Sequence, residues 1–293
     1  MPSSFQTIGI LAKPADERLL DTLQRLVACL TALGREVLLD QATLPDHPCL
    51  RSFPRATRDE LGQRSDLVIA VGGDGTLIHA AHGLAAYDTP VLGINLGRLG
   101  FLVDISPDEM TSRLERIFNG EYVLEKRFLL RGDVVRQGEI FHSSDVFNDL
   151  VYKVRDTVRM IEFETHIDGR YLLTQRSDGM VISTPSGSTA YALSSGGPIL
   201  TPGLEAVVLA PICPHTLSNR PIVVPSTSVI EICATRHSRA NSLVSFDGQC
   251  QVDLEPKDSL RITRSSRCAQ LIHPSDYDYF HILRAKLHWG GHP

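Results

Sequence analysis

The stretch Leu67-Val68-Ile69-Ala70-Val71-Gly72-Gly73-Asp74-Gly75-Thr76 joins an apolar run to a glycine-rich turn, and an apolar helical pattern over Thr76–Ala86 follows it. A short apolar run bounded by turn residues reads as a strand buried on both faces, as in a parallel sheet covered by helices. Outward from it the same rhythm repeats. Thr7–Ala12 reads as a strand, Ala15–Leu33 as a helix with Leu19, Leu20, Leu23, Leu26, Val27, Leu30 and Leu33 at helical spacing, and Gly34 as its terminator. Val37–Leu39, Asp66–Val71 and Pro90–Ile94 are further strands, and Pro107–Phe118 a further helix. Alternating strands and helices predict a Rossmann-like α/β domain with a parallel sheet. The connection from Asp40 to Arg64, with three prolines and mixed charge, reads as irregular.

Beyond this region the pattern changes to successive strands with little helical periodicity: Met160–Ile167, Tyr171–Gln175, Val229–Ala234 and Ser242–Phe246. Asp168-Gly169 and Asp247-Gly248 read as hairpin turns. The expected organisation is an α/β domain over residues 1–145, an all-β, sandwich-like domain over 146–272, and a segment 273–293 returning to the first domain, helical over Tyr277–Leu287.

A chain of 293 residues suits two domains, and 42% hydrophobic with 22% charged residues excludes fibrous and disordered classes. The net charge of −5 supplies no field for gripping nucleic acid, so no nucleic-acid partner is expected. Only 5 of 29 basic residues are lysine, so side chains that hold phosphate are expected to be mostly arginine. The six cysteines, at 29, 49, 213, 233, 250 and 268, form no CxxC pair and read as reduced thiols. The first residues lack a signal-peptide pattern, and the longest uncharged stretch, Gly179–Leu204, is too rich in Gly, Ser, Thr and Pro for a membrane helix. A cytoplasmic protein with no membrane partner is the expectation.

Two motifs carry chemistry. Gly72, Gly73, Gly75 and Thr76 around Asp74 form a turn between strand and helix. There, glycines at positive φ would aim backbone N–H groups at a phosphate, and the helix N-terminus would add its positive end. Gly-Lys-Ser/Thr and GxGxxG spacings are both missing, so this is neither a Walker A loop nor a dinucleotide fingerprint. Gly93, Gly97 and Gly100 form a second glycine cluster. The other motif runs from Arg176-Ser177-Asp178-Gly179 through Ser183-Thr184-Pro185-Ser186-Gly187-Ser188-Thr189-Ala190-Tyr191 to Gly196-Gly197-Pro198. Its small hydroxyl residues and glycines let a polar ligand approach closely, and Tyr191 could stack on a ring. His79 and His82 read as helix residues and His215 as a structural one.

The loop Gly72–Thr76, the pair Asn148-Asp149 and the run from Gln175 through Gly187-Ser188-Thr189-Ala190-Tyr191 to Gly197-Pro198-Ile199 resemble the NAD kinase family. Gly93–Gly100, Met160–Phe163, Pro214–Ser218 and Leu271–Pro274 extend the resemblance over nearly the whole chain, nearest to the bacterial form. GGDGT alone also occurs in diacylglycerol, sphingosine and 6-phosphofructo kinases, so a lipid kinase is one alternative and a non-catalytic NAD(P) sensor another.

The resemblance implies phosphoryl transfer from ATP, with Mg²⁺ or another divalent cation, to the adenosine ribose 2′-hydroxyl of NAD. It further implies a site between two domains, and a homodimer or homotetramer. By position it makes Asp74 the base and Gly75 part of the phosphate-facing loop. It sets Asn148, Asp149, Ser186 and Thr189 against adenosine, with Arg176, Asp178 and the run Ala190, Tyr191, Ala192, Leu193, Ser194 lining the rest. Arg159 and Gln249 match more variable positions, and Asp149 stands where the family usually has Glu. No protein ligand for the metal is implied.

Overall fold

The computed structural model describes residues 5–13, 18–97, 100–155, 160–235 and 241–289. In chain order the elements are β1 (Thr7–Ala12), α1 (Leu19–Ala32), β2 (Glu36–Asp40), β3 (Arg55–Ala56), α2 (Arg58–Arg64), β4 (Leu67–Gly72), α3 (Asp74–Leu84), β5 (Val91–Asn95) and α4 (Met110–Phe118). Then come β6 (Tyr122–Arg136), β7 (Glu139–Val146), β8 (Asp149–Val154), β9 (Ile161–Ile167), β10 (Arg170–Ser177), β11 (Gly179–Ser183) and the single turn α5 (Tyr191–Ser194). The chain continues with β12 (Ala206–Ile212), β13 (Ile222–Pro225), β14 (Ile230–Ala234), β15 (Ser242–Phe246), β16 (Cys250–Leu254), β17 (Ser259–Pro274) and α6 (Tyr279–Leu287).

The chain divides into two compact units, residues 1–126 with 269–293, and residues 127–268. The sequence pattern changes later, at 145/146. The difference is the pair β6 and β7, joined antiparallel from Leu130↔Val146 to Arg136↔Glu139. Phe128, Leu130, Val134 and Val146 of this pair pack into the core of the second unit, which is why it belongs there.

The first unit holds a parallel sheet in the order β17-β5-β4-β1-β2-β3, with β17 joining through Leu271↔Val91 and Ile272↔Leu92. Alternate strand residues, such as Ile8, Ile10, Leu67, Ile69, Val71, Leu92 and Ile94, share one core with Leu23, Leu26 and Leu30 of α1 and Leu114 and Ile117 of α4. Strand order reverses direction at β1, whose neighbours are β2 on one side and β4 on the other. Ligands of open α/β sheets bind beyond the strand C-termini at such a point, and β4 ends there in Gly72.

The connection read as irregular instead contains β3 and α2. Thr57 caps α2 with a capping box: its hydroxyl accepts from the Glu60 N–H, and the Glu60 carboxylate accepts from the Thr57 N–H at 2.7 Å. The Thr-x-x-Glu spacing is a helix-start signature, masked here by the surrounding prolines. These bonds hold the Glu60 carboxyl below its ordinary range.

In the second unit, β13-β12-β11-β8-β15-β16 form an antiparallel sheet, and β10-β9-β14-β17 a second antiparallel array. Leu150, Tyr152, Met180, Ile182, Val207 and Leu209 point into a core shared with Phe163, Ile230, Ile232, Leu260 and Ile262, which makes a sandwich. The alternate residues Val151, Val181, Val208 and Ala210 face the other way and are covered by Ala192 and Leu200. The central strands are therefore buried on both faces. Both expected hairpins form, with Asp168 and Gly169 at φ 51° and 72°, and Asp247 and Gly248 at φ 50° and 68°. No helix among the described residues is long and apolar enough to cross a membrane.

Replacing Thr57 by Ala removes the hydroxyl arm of the box, which accepts from the Glu60 N–H, and leaves the backbone arm in place. A melting temperature lower by roughly 2–4 °C is expected in a calorimetric scan; an unchanged scan would mean that the hydroxyl adds nothing to this helix.

Candidate functional site

In the first unit the site is the junction of β4 and α3. Gly73 precedes α3 in an extended conformation and Asp74 opens the helix. The three loop glycines do not adopt positive φ, which corrects the reason given by sequence. Their use is the missing side chain. A Cβ on Gly72 would meet the Thr76 hydroxyl at 2.3 Å, whereas Gly73 and Gly75 have nothing within 4 Å of that position, leaving the backbone open at the helix N-terminus.

The Asp74 carboxylate accepts three successive backbone N–H groups, Phe101 on Oδ2 at 2.7 Å, Leu102 on Oδ1 at 3.1 Å and Val103 on Oδ1 at 3.2 Å. Gly100 makes the approach possible, because a Cβ there would lie 1.9 Å from Asp74 Oδ1. Of about four acceptor sites on a carboxylate, Oδ2 carries one donor and Oδ1 two, so Oδ2 keeps the spare capacity. Gly93 is likewise closed in by Val103, and the Gly97 N–H donates to Asn95 Oδ1 at 2.9 Å. The second glycine cluster thus builds the support for Asp74.

In the second unit, a cavity of about 340 Å³ is lined by Asn148, Asp149, Val151, Lys153, Ala190, Tyr191, Ser245, Asp247, Gly248 and Gln251. Phe147, Asn148 and Asp149 enter β8 with their N–H groups donating to one carboxylate, that of Asp247, at 2.7, 2.8 and 3.0 Å. Asp149 is 6% exposed. Burial, and then the charge of Asp247, push its carboxyl up to about 7. The side-chain oxygen of Asn148 is buried with no hydrogen-bond partner among the described residues, an acceptor suited to a ligand donor. Tyr191 is 43% exposed on the rim.

Of the residues expected from sequence, Asn148, Asp149, Ala190 and Tyr191 line this cavity; Arg176, Asp178, Ser186, Thr189, Ala192, Leu193, Ser194 and Gln249 are not on its lining. Ser186 accepts from the buried Arg127 at 3.1 Å, and the Thr189 hydroxyl donates to the Ser186 carbonyl at 3.3 Å. The Arg176 carbonyl accepts from His215 N–H, and the Asp178 N–H donates to the Ile212 carbonyl. Ala192 is fully buried in the outer core, Leu193 and Ser194 complete the α5 turn, and Gln249 closes the β15–β16 hairpin through Phe246. Gly187 presses on Asn148, whose carbonyl oxygen would lie 2.3 Å from a Cβ. Arg159 lies outside the described residues. Sequence reading gave Asp247 only a turn role and passed over Lys153, Ser245 and Gln251; the Asp-Gly pair was visible, but its bonds to residues about a hundred positions away were not.

An α/β unit with a glycine-flanked aspartate at its switch point, joined in sequence to a β unit with a polar cavity, defines a nucleotide-binding two-unit protein. Residues 8–122 match the ATP-NAD kinase N-terminal domain and residues 147–274 the ATP-NAD kinase C-terminal domain, so the chain belongs to the ATP-NAD kinase family. It is 47% identical over 292 residues to the NAD kinase of Teredinibacter turnerae, covering 99% of this chain and 98% of that one. With the NAD kinase of Nitrosococcus oceani it shares 46% over 290 residues, 99% of both chains. Among solved structures, an Archaeoglobus fulgidus NAD kinase in complex with ATP superposes with a TM-score of 0.75 at 27% identity, covering 98% of this chain and 100% of that one. Yeast NADH kinase complexed with NADH gives a TM-score of 0.87 over 99% of this chain and 90% of that one, a likeness of fold at 23% identity.

The raised carboxyl of Asp149 has a stability consequence. Between the ordinary value of 3.8 and about 7 the folded chain keeps a proton that the unfolded chain releases, so this group's contribution to stability falls as pH rises through that window and is lowest above it. Asp149→Asn should therefore raise the melting temperature more at pH 8 than at pH 5; an equal change at both would refute the ionisation argument.

Proposed function

We propose that the chain transfers the terminal phosphoryl group of ATP to the 2′-hydroxyl of the adenosine ribose of NAD, yielding ADP and NADP. The observation that carries the chemistry is the Asp74 carboxylate, fixed by three backbone amides at the mouth of the glycine loop and with acceptor capacity left on Oδ2. A ribose hydroxyl is a weak nucleophile. In this reading Asp74 takes its proton as the oxygen bonds to the γ-phosphorus and the bond to the β-phosphate oxygen breaks.

The exposed backbone of Gly73 and Gly75 and the N-terminus of α3 suit the phosphate charge. Asn148, with its orphaned amide oxygen, and Asp149 suit the hydroxyl and amino donors of adenosine, and the Tyr191 ring suits stacking on a base. Arg176, Asp178, Ser186, Thr189 and the α5 turn are assigned to the same dinucleotide by resemblance, as are Arg159 and Gln249.

Among the described residues no group of three or more His, Cys, Asp or Glu is arranged to hold a metal ion. A divalent cation such as Mg²⁺ fits this donor set as a passenger of the triphosphate, held by phosphate oxygens and water and offsetting their charge. The reading extends to a cytoplasmic homodimer or homotetramer, which sedimentation can distinguish. Its direct test is NADP formation from NAD and ATP by the purified chain, read with an NADP-specific dehydrogenase; no NADP above a no-enzyme control would overturn it.

Asp74→Asn keeps shape and loses the base. In that assay kcat should fall by roughly 10²–10⁴-fold while NAD still binds, and near-parental turnover would remove Asp74 from the chemistry. Tyr191→Ala should act the other way, raising KM for NAD with little change in kcat, since stacking stabilises ground and transition states alike. An unchanged KM for NAD with weakened ATP use would put the ring on the wrong substrate.

A further inference from the structure

Phe147, Asn148 and Asp149 present three consecutive N–H groups, and all three donate to the carboxylate of one residue 98 to 100 positions later, Asp247. The grip is reciprocal, since the Asp247 N–H donates to the Asp149 carbonyl at 3.0 Å. Asp247 sits at φ 50° with Gly248 at φ 68°, and this tight turn aims the carboxylate back at the start of β8. From the other side Gly187 closes on the Asn148 carbonyl. We propose that Asp247 is a positioning residue for the dinucleotide, its carboxylate fixing the backbone of Asn148 and Asp149 so that their side chains face the cavity together. The inference rests on the functional reading above, in which that pair receives the adenosine ribose.

Asparagine cannot replace the clamp. It offers one acceptor oxygen, and its NH₂ would face backbone donors. The Asp247 charge also acts on Asp149, which it helps to keep protonated up to about pH 7. The other titratable groups lining the same cavity are Tyr191, whose phenol is itself raised by burial and neighbouring charge, and Lys153. A protonated Asp149 is a poorer acceptor for a ribose hydroxyl. kcat/KM for NAD in the parent should therefore drop on the acid side of about pH 7, at a position set first by the burial of Asp149 and then by the Asp247 charge.

The test is steady-state kinetics from pH 5.5 to 9 on the full chain and two variants. Asp247→Asn should raise KM for NAD at least tenfold, leave KM for ATP within about twofold, and move the acid limb to lower pH. Asp247→Glu, which keeps the charge but shifts the carboxylate by one methylene, should raise KM for NAD while restoring the limb to its parental position. An Asp247→Asn enzyme with KM for NAD within twofold of the parent and an unmoved limb overturns the inference, as does an equal rise in both KM values.

If that variant does not fold, Asp247→Glu decides: a KM for NAD at least threefold above the parent with KM for ATP within about twofold supports the inference, and a KM for NAD equal to the parent's overturns it. A parent that makes no NADP brings down the functional reading, and calorimetric NAD binding by the parent and Asp247→Glu still judges the clamp. An active parent with an indifferent Asp247→Asn brings down this inference alone.

Discussion

Buried backbone amides must be satisfied, and in both units the residues of the candidate site are shaped by that requirement. Phe101 to Val103 and Phe147 to Asp149 are short runs of amides that find their acceptors in side chains, and in each case one aspartate carboxylate receives all three N–H groups. A carboxylate is the only side chain with enough acceptor sites in one plane to do this. Glycine makes room beside each device, Gly100 against Asp74 and Gly187 against Asn148. Two remote stretches of sequence use the same solution.

The Ser/Thr/Gly-rich motif of the second unit takes on a different character in this light. Thr184 donates to the Phe147 carbonyl at 2.7 Å and accepts from the Gly187 N–H. Ser188 donates to the Pro185 carbonyl and accepts from the Leu200 N–H at 3.0 Å. These hydroxyls are spent inside the fold, folding the segment over the outer face of the six-stranded sheet, where Ala192 and Leu200 complete the core. What the motif offers to the cavity is Ala190 and the half-exposed Tyr191. Its composition serves packing first and recognition second.

Much of this was legible because it is local. β1 and β15 have the spans read from the apolar pattern, and both Asp-Gly turns have the left-handed residues their sequence demands. α2 was hidden because Pro45, Pro48 and Pro54 outweighed a Thr57-Glu60 box only a few residues on. The loop glycines were placed correctly but for the wrong reason, since close approach and open backbone, not positive φ, explain them. Asp247 and the burial of Asp149 were out of reach, because both depend on which strands become neighbours across the sheet. Asp149 acquires its character from burial and from Asp247, in the turn between β15 and β16, and nothing in its own surroundings along the chain announces it.

The separation of the paired residues in sequence also sets an order of events during synthesis. Asp74 finds its amides 27 to 29 residues downstream, whereas Phe147 to Asp149 wait for a residue 98 to 100 positions later. Closing the longer loop costs more chain entropy and requires β15 to have been made. A nascent chain that has emerged only as far as residue 235 already contains Asp74 and the three amides it accepts from, yet the cavity of the second unit still lacks Ser245, Asp247, Gly248 and Gln251 of its lining. In the newly made protein the wall of that cavity is completed only after the Asp74 carboxylate and its three amides have all been made.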